Sequence, residues 1–351
     1  MKNIRVLVVD DSFLMRRIIS DMLNEAEGIT VAATAKDGNE LFYILEKEKI
    51  DVITLDVEMP GINGIEVLRI LKERKINIPV IILSGLSKDS AEITLRFLEE
   101  GAFDFIPKPS GGISLDIIRL KDQLVDIIHN AYNGKSIKGD NLQLNFTNKS
   151  TSNRRQSLPK AIAIAASTGG PKAYSYLFSQ LNFYVDIPIL IVQHMPRGFT
   201  KTFAERLNNI SSMVVKEGYH GEVISGGTVY VAPGGYHMEV IAGRIHLNEE
   251  PPLWGVRPAA DRLIKSAAEH YKDGLISIVL TGMGKDGAEG IKVTKAFGGY
   301  TISEAESSSI IYGMSKAAYE TGCVDEVLSL YDIPKRIESL LGGGIYGSSR
   351  I

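Results

Sequence analysis

Apolar residues in the first part of the chain fall into short runs, separated by polar turns and by segments with helical spacing. The run Ile4–Val9 has the length of a buried strand, and Leu14, Ile18 and Met22 follow at the spacing of one helix face. Further predicted strands recur along the chain at Thr30–Thr34, Val52–Leu55, Val80–Leu83 and Phe103–Ile106. Apolar strands that alternate with helices predict an α/β fold, in which a doubly wound parallel sheet is covered on both faces.

A second alternating pattern begins after residue 157. Helical segments follow several of its predicted strands, which are Ile162–Ala166, Ile187–Val192, Val229–Ala232, Ile276–Thr281 and Tyr300–Ser303. Apolar and polar residues also alternate on either side of Gly243, which predicts a β-hairpin over His237–Leu247. We therefore expect a second α/β domain with its own parallel sheet and core.

The two patterns are separated by a polar stretch with few apolar residues and no periodicity, from about residue 133 to residue 157. Such a composition cannot bury enough surface to offset the entropy of ordering the chain. We predict a first domain over 1–130, a polar linker over 131–157 and a second domain over 158–345.

Composition narrows the class of protein. The chain has 351 residues, a formal net charge of −3 and a single cysteine, Cys323. The charge gives no reason to expect nucleic-acid binding, and one cysteine cannot form an intrachain disulfide. The N-terminus reaches Asp10 too soon for a secretory signal, and no apolar run has the length of a membrane span. We expect a cytoplasmic protein that does not insert into membranes.

Chemically active side chains follow the predicted strands of the first domain. Asp10 and Asp11 end the first strand, Asp56 the third and Ser84 the fourth, and Lys108 follows the fifth. In a parallel sheet these ends share one edge, where ligands bind. Clustered carboxylates repel one another unless a cation neutralises them, and an open site of oxygen ligands suits Mg²⁺. Asp10, Asp11 and Asp56 are the predicted ligands, and Ser84 and Lys108 could hold the oxygens of a phosphoryl group on Asp56.

The first domain resembles the receiver domain of two-component response regulators over about residues 3–125. The motifs that carry the resemblance are Val8-Val9-Asp10-Asp11-Ser12, Leu55-Asp56-Val57-Glu58-Met59-Pro60-Gly61 and Lys108-Pro109. It implies a flavodoxin-like fold and Mg²⁺-dependent transfer of a phosphoryl group from a histidine kinase to Asp56. It also places Phe105 at the position of the aromatic switch residue.

In the second domain, the run Ala161–Ala166 ends on Ser167 and continues as Thr168-Gly169-Gly170-Pro171. Pro171 suits the first turn of a helix, so Ser167 lies between a strand end and a helix start, where backbone N–H groups face a bound anion. An oxyanion could be stabilised there. Taken alone, the segment still favours a structural serine in a tight turn.

Two further strand ends change this interpretation. His194 follows the second strand of the domain in Gln193-His194-Met195-Pro196, and Asp286 follows a later strand in Gly282-Met283-Gly284-Lys285-Asp286-Gly287. If the strands are parallel, Ser167, His194 and Asp286 converge as a nucleophile, a general base and an orienting acid. Individually, His194 could be a turn histidine and Asp286 a helix cap, but their joint placement favours catalysis.

The last of these motifs has a competing interpretation. Gly282-x-Gly284-x-x-Gly287 between a strand and a helix matches the dinucleotide-binding fingerprint, and Glu304 follows at the spacing of a ribose contact. A nucleotide site would leave Ser167 and His194 without a role.

The second domain resembles the catalytic domain of the chemotaxis protein-glutamate methylesterases over nearly all of residues 159–340. The resemblance rests on Ala166-Ser167-Thr168-Gly169-Gly170-Pro171, Gln193-His194-Met195-Pro196, Phe199-Thr200, Val231-Ala232-Pro233, Arg257-Pro258 and Leu280-Thr281-Gly282-Met283-Gly284-x-Asp286-Gly287. It implies a Rossmann-like three-layer α/β fold with Ser167 as nucleophile, His194 as base and Asp286 as acid. Thr168, Gly169 and the Met283 amide become candidates for oxyanion and substrate contacts. Ala259 and Ser303-Glu304 depart from the family pattern.

Together the two resemblances imply a phosphorylation-activated serine esterase. It would remove methyl groups from glutamate methyl esters of chemotaxis receptors, and deamidate receptor glutamines, without a cofactor in the esterase domain. A chemotaxis histidine kinase would supply the phosphoryl group, and the receiver would cover the esterase cleft until Asp56 is phosphorylated. The alternative is a response regulator whose second domain binds a nucleotide or only interacts with a partner.

Overall fold

The computed structural model describes residues 3–108, 115–137, 158–181 and 185–342. By internal contacts the chain divides into two compact units, residues 1–143 and 144–351.

The first unit is built on five parallel strands in the order β2-β1-β3-β4-β5. The strands are β1 (Ile4–Val9), β2 (Ile29–Ala35), β3 (Val52–Asp56), β4 (Val80–Ser84) and β5 (Asp104–Pro107). The helices are α1 (Phe13–Asn24), α2 (Gly38–Leu45), α3 (Gly64–Glu73), α4 (Lys88–Glu100) and α5 (Leu115–Ile137). Because β1, β3 and β4 are buried on both faces, their apolar runs lack alternation, which confirms the predicted doubly wound sheet.

Short polar residues begin the helices that follow the carboxyl ends of these strands. Ser12 caps α1, Asp37 caps α2, and Asn63 forms a capping box with Glu66 at the start of α3. Each cap accepts a hydrogen bond from a backbone N–H that has no partner within its helix. The caps at Ser12 and Asp37 start α1 and α2 close to the strands they follow, whereas the seven residues 57–63 separate β3 from α3 beside Asp56.

The second unit contains seven parallel strands in the order β14-β13-β12-β6-β7-β9-β8. They are β6 (Ala161–Ala166), β7 (Ile189–Gln193), β8 (Val214–Glu217), β9 (Thr228–Val231), β12 (Leu275–Val279), β13 (Tyr300–Glu304) and β14 (Glu326–Leu328). The predicted hairpin is confirmed as β10 (His237–Ile241) antiparallel to β11 (Arg244–Asn248). The helices are α6 (Gly170–Gln180), α7 (Phe199–Ile210), α8 (Ala260–Tyr271), α9 (Ala288–Ala296), α10 (Met314–Glu320) and α11 (Ile333–Leu340).

Small residues at the centre of this sheet bring a helix close to the strands. Ala161, Ala163 and Ala165 of β6 are fully buried in the same apolar cluster as Ala260 and Ala267 of α8. Without large side chains between them, α8 packs near β6 and β12, and its first turn lies beside the strand ends.

The chain order reverses between β12 and β6, so the carboxyl ends of these strands form a topological switch point. Ligands of doubly wound sheets bind in the crevice at such a point. Ser167 follows β6, His194 follows the adjacent β7, and the segment from Leu280 to Gly287 follows β12. The predicted catalytic residues therefore lie around one crevice.

Helix α5, the last element of the first unit, continues to Ile137, into the stretch predicted as a linker. The remaining predicted linker, residues 138–157, lies outside the described residues. None of the helices in the described part of the chain combines the length and the apolar character needed to cross a bilayer.

Candidate active site and phosphoacceptor site

The Ser167 turn is held by backbone and side-chain hydrogen bonds on both of its sides. Its N–H donates to the Thr281 carbonyl at 3.0 Å, and its carbonyl accepts from the Gly170 N–H at 2.8 Å and from Gln193 Nε2 at 2.9 Å. Gly169 adopts φ +81°, a left-handed conformation that glycine adopts without strain, and this lets α6 begin one residue later. The turn presents the partly exposed Ser167 side chain at the crevice.

His194 lies beside this turn because its strand is the neighbour of β6. Ala166 pairs in register with Gln193, and the His194 N–H donates to the Ala166 carbonyl at 3.2 Å. The imidazole Nε2 lies 2.8 Å from Asp286 Oδ2, and the ring is 10% exposed. Thus Ser167 and His194 follow paired residues at neighbouring strand ends, and His194 and Asp286 are joined directly.

Asp286 is buried and receives three hydrogen-bond donors. Besides His194, the Ala260 N–H donates to its Oδ2 at 2.6 Å and the Asp261 N–H to its Oδ1 at 2.9 Å. These amides form the N-terminus of α8, where a carboxylate is favoured. Burial by itself would raise the pKa of Asp286, but the contacts with His194 and the two amides outweigh burial and lower that pKa. Asp286 is therefore an anion at neutral pH.

The ionised Asp286 also decides which imidazole nitrogen carries the proton. A carboxylate can only accept, so His194 Nε2 donates, and in a neutral imidazole the lone pair then lies on Nδ1. Among the described residues there is no hydrogen bond between this Nδ1 and Ser167 Oγ. Catalytic hydrogen bonds of this kind are often long in ligand-free enzymes and close in the substrate complex.

A second buried carboxylate, Asp261, was not singled out from the sequence. Its Oδ1 accepts from the Gly287 N–H at 3.1 Å and the Gly290 N–H at 2.7 Å, and its Oδ2 accepts from Trp254 Nε1 at 2.9 Å. Burial raises the pKa of Asp261, and the nearby charge of Asp286 adds to this. Asp261 therefore ties the start of α8 to the loop that carries Asp286. An acidic residue in the first turn of a predicted helix is too common a feature to have indicated this role.

The predicted oxyanion and substrate contacts surround the Ser167 turn. Thr168 is buried, and its carbonyl accepts from Thr281 Oγ1 at 2.9 Å. Gly169 caps α6, and Met283 is half-buried in the loop after β12. Thr168 and Gly169 thus follow Ser167 in its turn, and Met283 follows Gly282, at which an added Cβ would lie 2.8 Å from Ser167 Cβ.

The contacts of the glycine-rich loop also bear on the dinucleotide alternative. A Cβ added to Gly282 would lie 2.8 Å from Ser167 Cβ, so this glycine is needed for close packing against the serine. Glu304 is fully buried and accepts from the Thr281 N–H at 2.7 Å, which leaves it unavailable to a ribose hydroxyl. The motif is explained by the packing of the Ser167 turn.

In the first unit, Lys108 joins two buried carboxylates at the edge of the sheet. Its Nζ lies 2.8 Å from Asp10 Oδ2 and 2.7 Å from Asp56 Oδ1. Burial opposes the charge of Lys108, but the two carboxylates outweigh burial and raise its pKa. Burial raises the pKa of Asp56 and the charge of Asp10 adds to this, while Lys108 works in the opposite direction.

The carboxylates predicted to bind Mg²⁺ are close enough to do so together. Asp10, Asp11 and Asp56 each offer an oxygen within 4.8 Å of the others, with Asp11 exposed and the other two buried. Oxygen ligands that leave room for water and phosphate fit Mg²⁺. Ser84 is buried, and its hydroxyl lies 2.5 Å from Thr94 Oγ1 and 3.2 Å from the Gly85 carbonyl. The Ser84 hydroxyl therefore contacts α4 and its own turn in this structure.

A receiver-type sheet with an acidic edge, followed by an α/β unit with a serine, a histidine and an aspartate at its switch point, defines a response regulator with a hydrolase output. A family model described as CheB methylesterase matches residues 162–337, and a response regulator receiver model matches residues 6–116. The chain belongs to the CheB methylesterase family, and it is accordingly a hydrolase with a receiver domain.

Relatives with known names are similar over the full length of the chain. A Clostridium acetobutylicum protein named protein-glutamate methylesterase/protein-glutamine glutaminase is 47% identical, over 98% of this chain and 99% of its own. A Pyrococcus abyssi protein of the same name is 44% identical, over 99% and 97%. The crystal structure of the Thermotoga maritima CheB methylesterase catalytic domain matches with a TM-score of 0.51 and 40% identity, covering 52% of this chain and 98% of that domain. These matches favour the hydrolase over a nucleotide-binding output.

Proposed function

We propose that this chain removes methyl groups from glutamate methyl esters of methyl-accepting chemotaxis receptors and deamidates receptor glutamines. The names of the relatives support this substrate class, since both describe hydrolysis at a protein glutamyl side chain. The observation that carries the proposal is the contact between His194 and Asp286 beside the Ser167 turn.

In the proposed reaction, Ser167 Oγ attacks the ester carbonyl and His194 Nδ1 takes the hydroxyl proton. Asp286 keeps the imidazole in the required tautomer and stabilises the imidazolium that forms. Collapse of the tetrahedral intermediate breaks the ester C–O bond, and His194 returns the proton to the departing methanol. Water then attacks the acyl-enzyme by the same route and regenerates Ser167. With a glutamine substrate the leaving group is ammonia.

The negative charge on the tetrahedral intermediate requires preorganised donors. We assign this role to backbone N–H groups of the turn at Thr168 and Gly169 and of Met283, beside the N-terminus of α6. Donors that are already aimed at the developing charge contribute much of the rate enhancement in acyl transfer, and loss of one typically costs about 10²–10³ in kcat.

We propose that activity is controlled by phosphorylation of Asp56 by a chemotaxis histidine kinase. Asp10, Asp11 and Asp56 would hold Mg²⁺, which supplies positive charge to the phosphoryl oxygens when bound. Lys108 would bind a phosphoryl oxygen after giving up its contact with Asp56, and Ser84 would bind another after its hydroxyl turns away from Thr94. The short contacts of Lys108 to both buried carboxylates support this assignment.

The decisive measurement is methanol release from methylated receptor membranes, with and without a small-molecule phosphodonor and Mg²⁺. We expect release in both conditions, faster with the phosphodonor, and none with Ser167→Ala. A serine-reactive fluorophosphonate should label the parent chain but leave Ser167→Ala unlabelled. Absence of methanol in both conditions would contradict the esterase assignment.

A further inference from the structure

Thr281 is the residue through which the nucleophile turn is attached to the rest of the sheet edge. It is buried, and its carbonyl accepts the Ser167 N–H at 3.0 Å. Its hydroxyl donates to the Thr168 carbonyl at 2.9 Å and accepts from the Ile311 N–H at 3.0 Å. The hydroxyl and the carbonyl of Thr281 therefore hold the backbone at Thr168 and at Ser167.

The remaining polar group of Thr281, its N–H, is held by Glu304 at the carboxyl end of β13. Glu304 Oε2 accepts this N–H at 2.7 Å, and Oε1 lies 2.9 Å from Ser308 Oγ. Ser308 Oγ in turn accepts the Leu330 N–H at 2.9 Å and lies 3.4 Å from the Ala305 carbonyl. Glu304 is thus the link between Thr281 and the loop that follows β13.

In the part of the chain that the structure describes, no cation compensates the charge of this carboxylate. Thr281 faces it from the loop after β12, Ser308 from the loop after β13, and Leu328 of β14 pairs with it in strand register. No ionisable side chain among the described residues contributes to its ionisation, and burial raises the pKa of Glu304 to about 7. The site therefore favours the neutral acid over a range of pH in which other glutamates are ionised.

Only the neutral acid satisfies every group of this network without a buried charge. With the carboxylate ionised, Ser308 Oγ donates to Oε1. In the neutral acid this bond reverses, so Oε1–H donates to Ser308 Oγ, the Ser308 hydroxyl turns to the Ala305 carbonyl, and Oε2 still accepts from Thr281. When the acid ionises, its carboxylate keeps only two neutral donors in a fully buried site, which is a costly arrangement. Hydration of the carboxylate would recover this cost, and movement of the side chain toward solvent would withdraw it from Thr281.

We propose that protonated Glu304 is a positioning residue for Ser167, which it holds through Thr281, and that ionisation of Glu304 releases this hold. Esterase turnover should consequently decrease as Glu304 ionises. The inference rests on the proposed role of Ser167 as the nucleophile. A glutamine has the shape and hydrogen-bonding pattern of the neutral acid, so Glu304→Gln should hold Thr281 at every pH.

The first test follows unfolding of the catalytic unit in the full-length chain. Trp254 is the only tryptophan, so its fluorescence reports urea unfolding of this unit. The folded chain binds the Glu304 proton more tightly than the unfolded chain, so the contribution of Glu304 to stability falls as pH rises between about 4.5 and 7. We expect the folding constant of the parent to fall on the order of a hundredfold relative to Glu304→Gln over this range, since each pKa unit is a factor of ten.

The matched control is Glu320→Gln, which removes an exposed carboxylate from the same unit and should leave the pH dependence of the parent unchanged. If the parent and Glu304→Gln lose stability in parallel between pH 4.5 and 7, the protonation part of the inference is wrong. This readout needs no substrate, so it is independent of the proposed function.

The second test measures the rate of fluorophosphonate labelling of Ser167 and the kcat for methanol release between pH 6 and 9. We expect the ratio of parent to Glu304→Gln to fall about tenfold above pH 7, while Glu304→Leu, which leaves the Thr281 N–H unpaired, is slow throughout. Labelling of Glu304→Leu at the parent rate would overturn the positioning role. If labelling follows the expected pattern and methanol is never released, the inference stands and the proposed substrate is wrong.

Discussion

At the scale of single residues, Asp286 shows how several weak sequence signals become one chemical function. Sequence reasoning weighed a helix-capping role against a catalytic one, and the structure gives Asp286 both kinds of contact. The carboxylate accepts from the two first amides of α8 and from His194. The N-terminus of α8 stabilises the Asp286 anion, so Asp286 stays ionised while it accepts the hydrogen bond from His194.

Replacing Asp286 with asparagine should reverse the imidazole tautomer. An amide nitrogen in place of Oδ2 would donate to His194 Nε2, so Nδ1 would carry the proton and could not accept one from Ser167. The Ala260 N–H would also lose its acceptor. We expect kcat for methanol release to fall about 10⁴-fold, as in other triads in which the acid is made neutral. A fall of less than tenfold in a folded Asp286→Asn variant would show that Asp286 does not orient the base.

The same variant has a predicted effect on acid stability. Since the pKa of Asp286 is lowered by folding, its contribution to stability is complete at neutral pH and is lost as pH falls through the lowered pKa. Urea unfolding between pH 6 and pH 3 should therefore show a shallower loss of stability in Asp286→Asn than in the parent. Parallel curves would contradict the lowered pKa.

Substitution of Gly282 would show how closely the loop after β12 must approach Ser167. An added Cβ would lie 2.8 Å from Ser167 Cβ and 3.0 Å from Ser167 N, so Gly282→Ala must displace the turn. We expect a loss of stability of about 1–3 kcal/mol and at least a tenfold fall in kcat. In the control Gly284→Ala, the new Cβ meets nothing within 4 Å, and only the strain of φ +84°, about 1–2 kcal/mol, is expected. Equal kcat values for the two variants would contradict this distinction.

At the scale of elements, the first turn of α8 connects Asp286 to the rest of the crevice. Its amides bind Asp286, and Asp261 binds the loop before α9 and the indole of Trp254. Lys285 Nζ lies 4.0 Å from the centroid of the Trp254 ring, which adds a cation–π contact from the same loop. The helix start therefore positions two loops at once.

Removing the indole donor should weaken this connection. Trp254→Phe keeps the ring face for Lys285 but leaves Asp261 Oδ2 without its donor, and we expect a loss of about 1.5–3 kcal/mol in unfolding free energy. Because Trp254 is the only tryptophan, circular dichroism follows the unfolding. The control Tyr331→Phe changes an exposed ring and should stay within about 0.5 kcal/mol of the parent. Similar stabilities for both variants would show that the Trp254–Asp261 bond does not stabilise the fold.

The elements also differ in how well their sequences predict them. Central strands such as β6 and β12 are buried on both faces, so their apolar runs are unmistakable. The edge strands β8 and β14 were not predicted, because they have only four and three residues and are partly exposed. Their pairing with β9 and β13 depends on neighbours that are distant in sequence.

At the scale of the whole molecule, two units with separate cores carry separate chemistry. The first holds the phosphoacceptor candidate Asp56 and the second holds Ser167. If the state of Asp56 controls activity at Ser167, a coupling free energy must link the two units. No local sequence pattern reveals such a coupling.

We expect a fragment lacking residues 1–150 to release methanol faster than the unphosphorylated full-length chain, by about tenfold or more. This expectation follows from the hypothesis that the receiver unit inhibits the esterase until phosphorylation of Asp56 shifts the population toward the active state. Asp56→Asn should keep the basal rate and lose the response to phosphodonor. If the fragment is no faster than the parent, inhibition by the receiver unit is wrong.

The sequence by itself determined the two α/β sheets and the residue types at their carboxyl edges, because strand periodicity and strand ends are local properties. It also placed Ser167, His194 and Asp286 at converging ends. The tertiary structure alone decided that Nε2 of His194 contacts Asp286, that Asp261 supports the loop after β12, and that Glu304 holds Thr281 with no cation beside it among the described residues. These contacts join residues that are distant in the chain, so they depend on which elements pack together and on how much water that packing excludes.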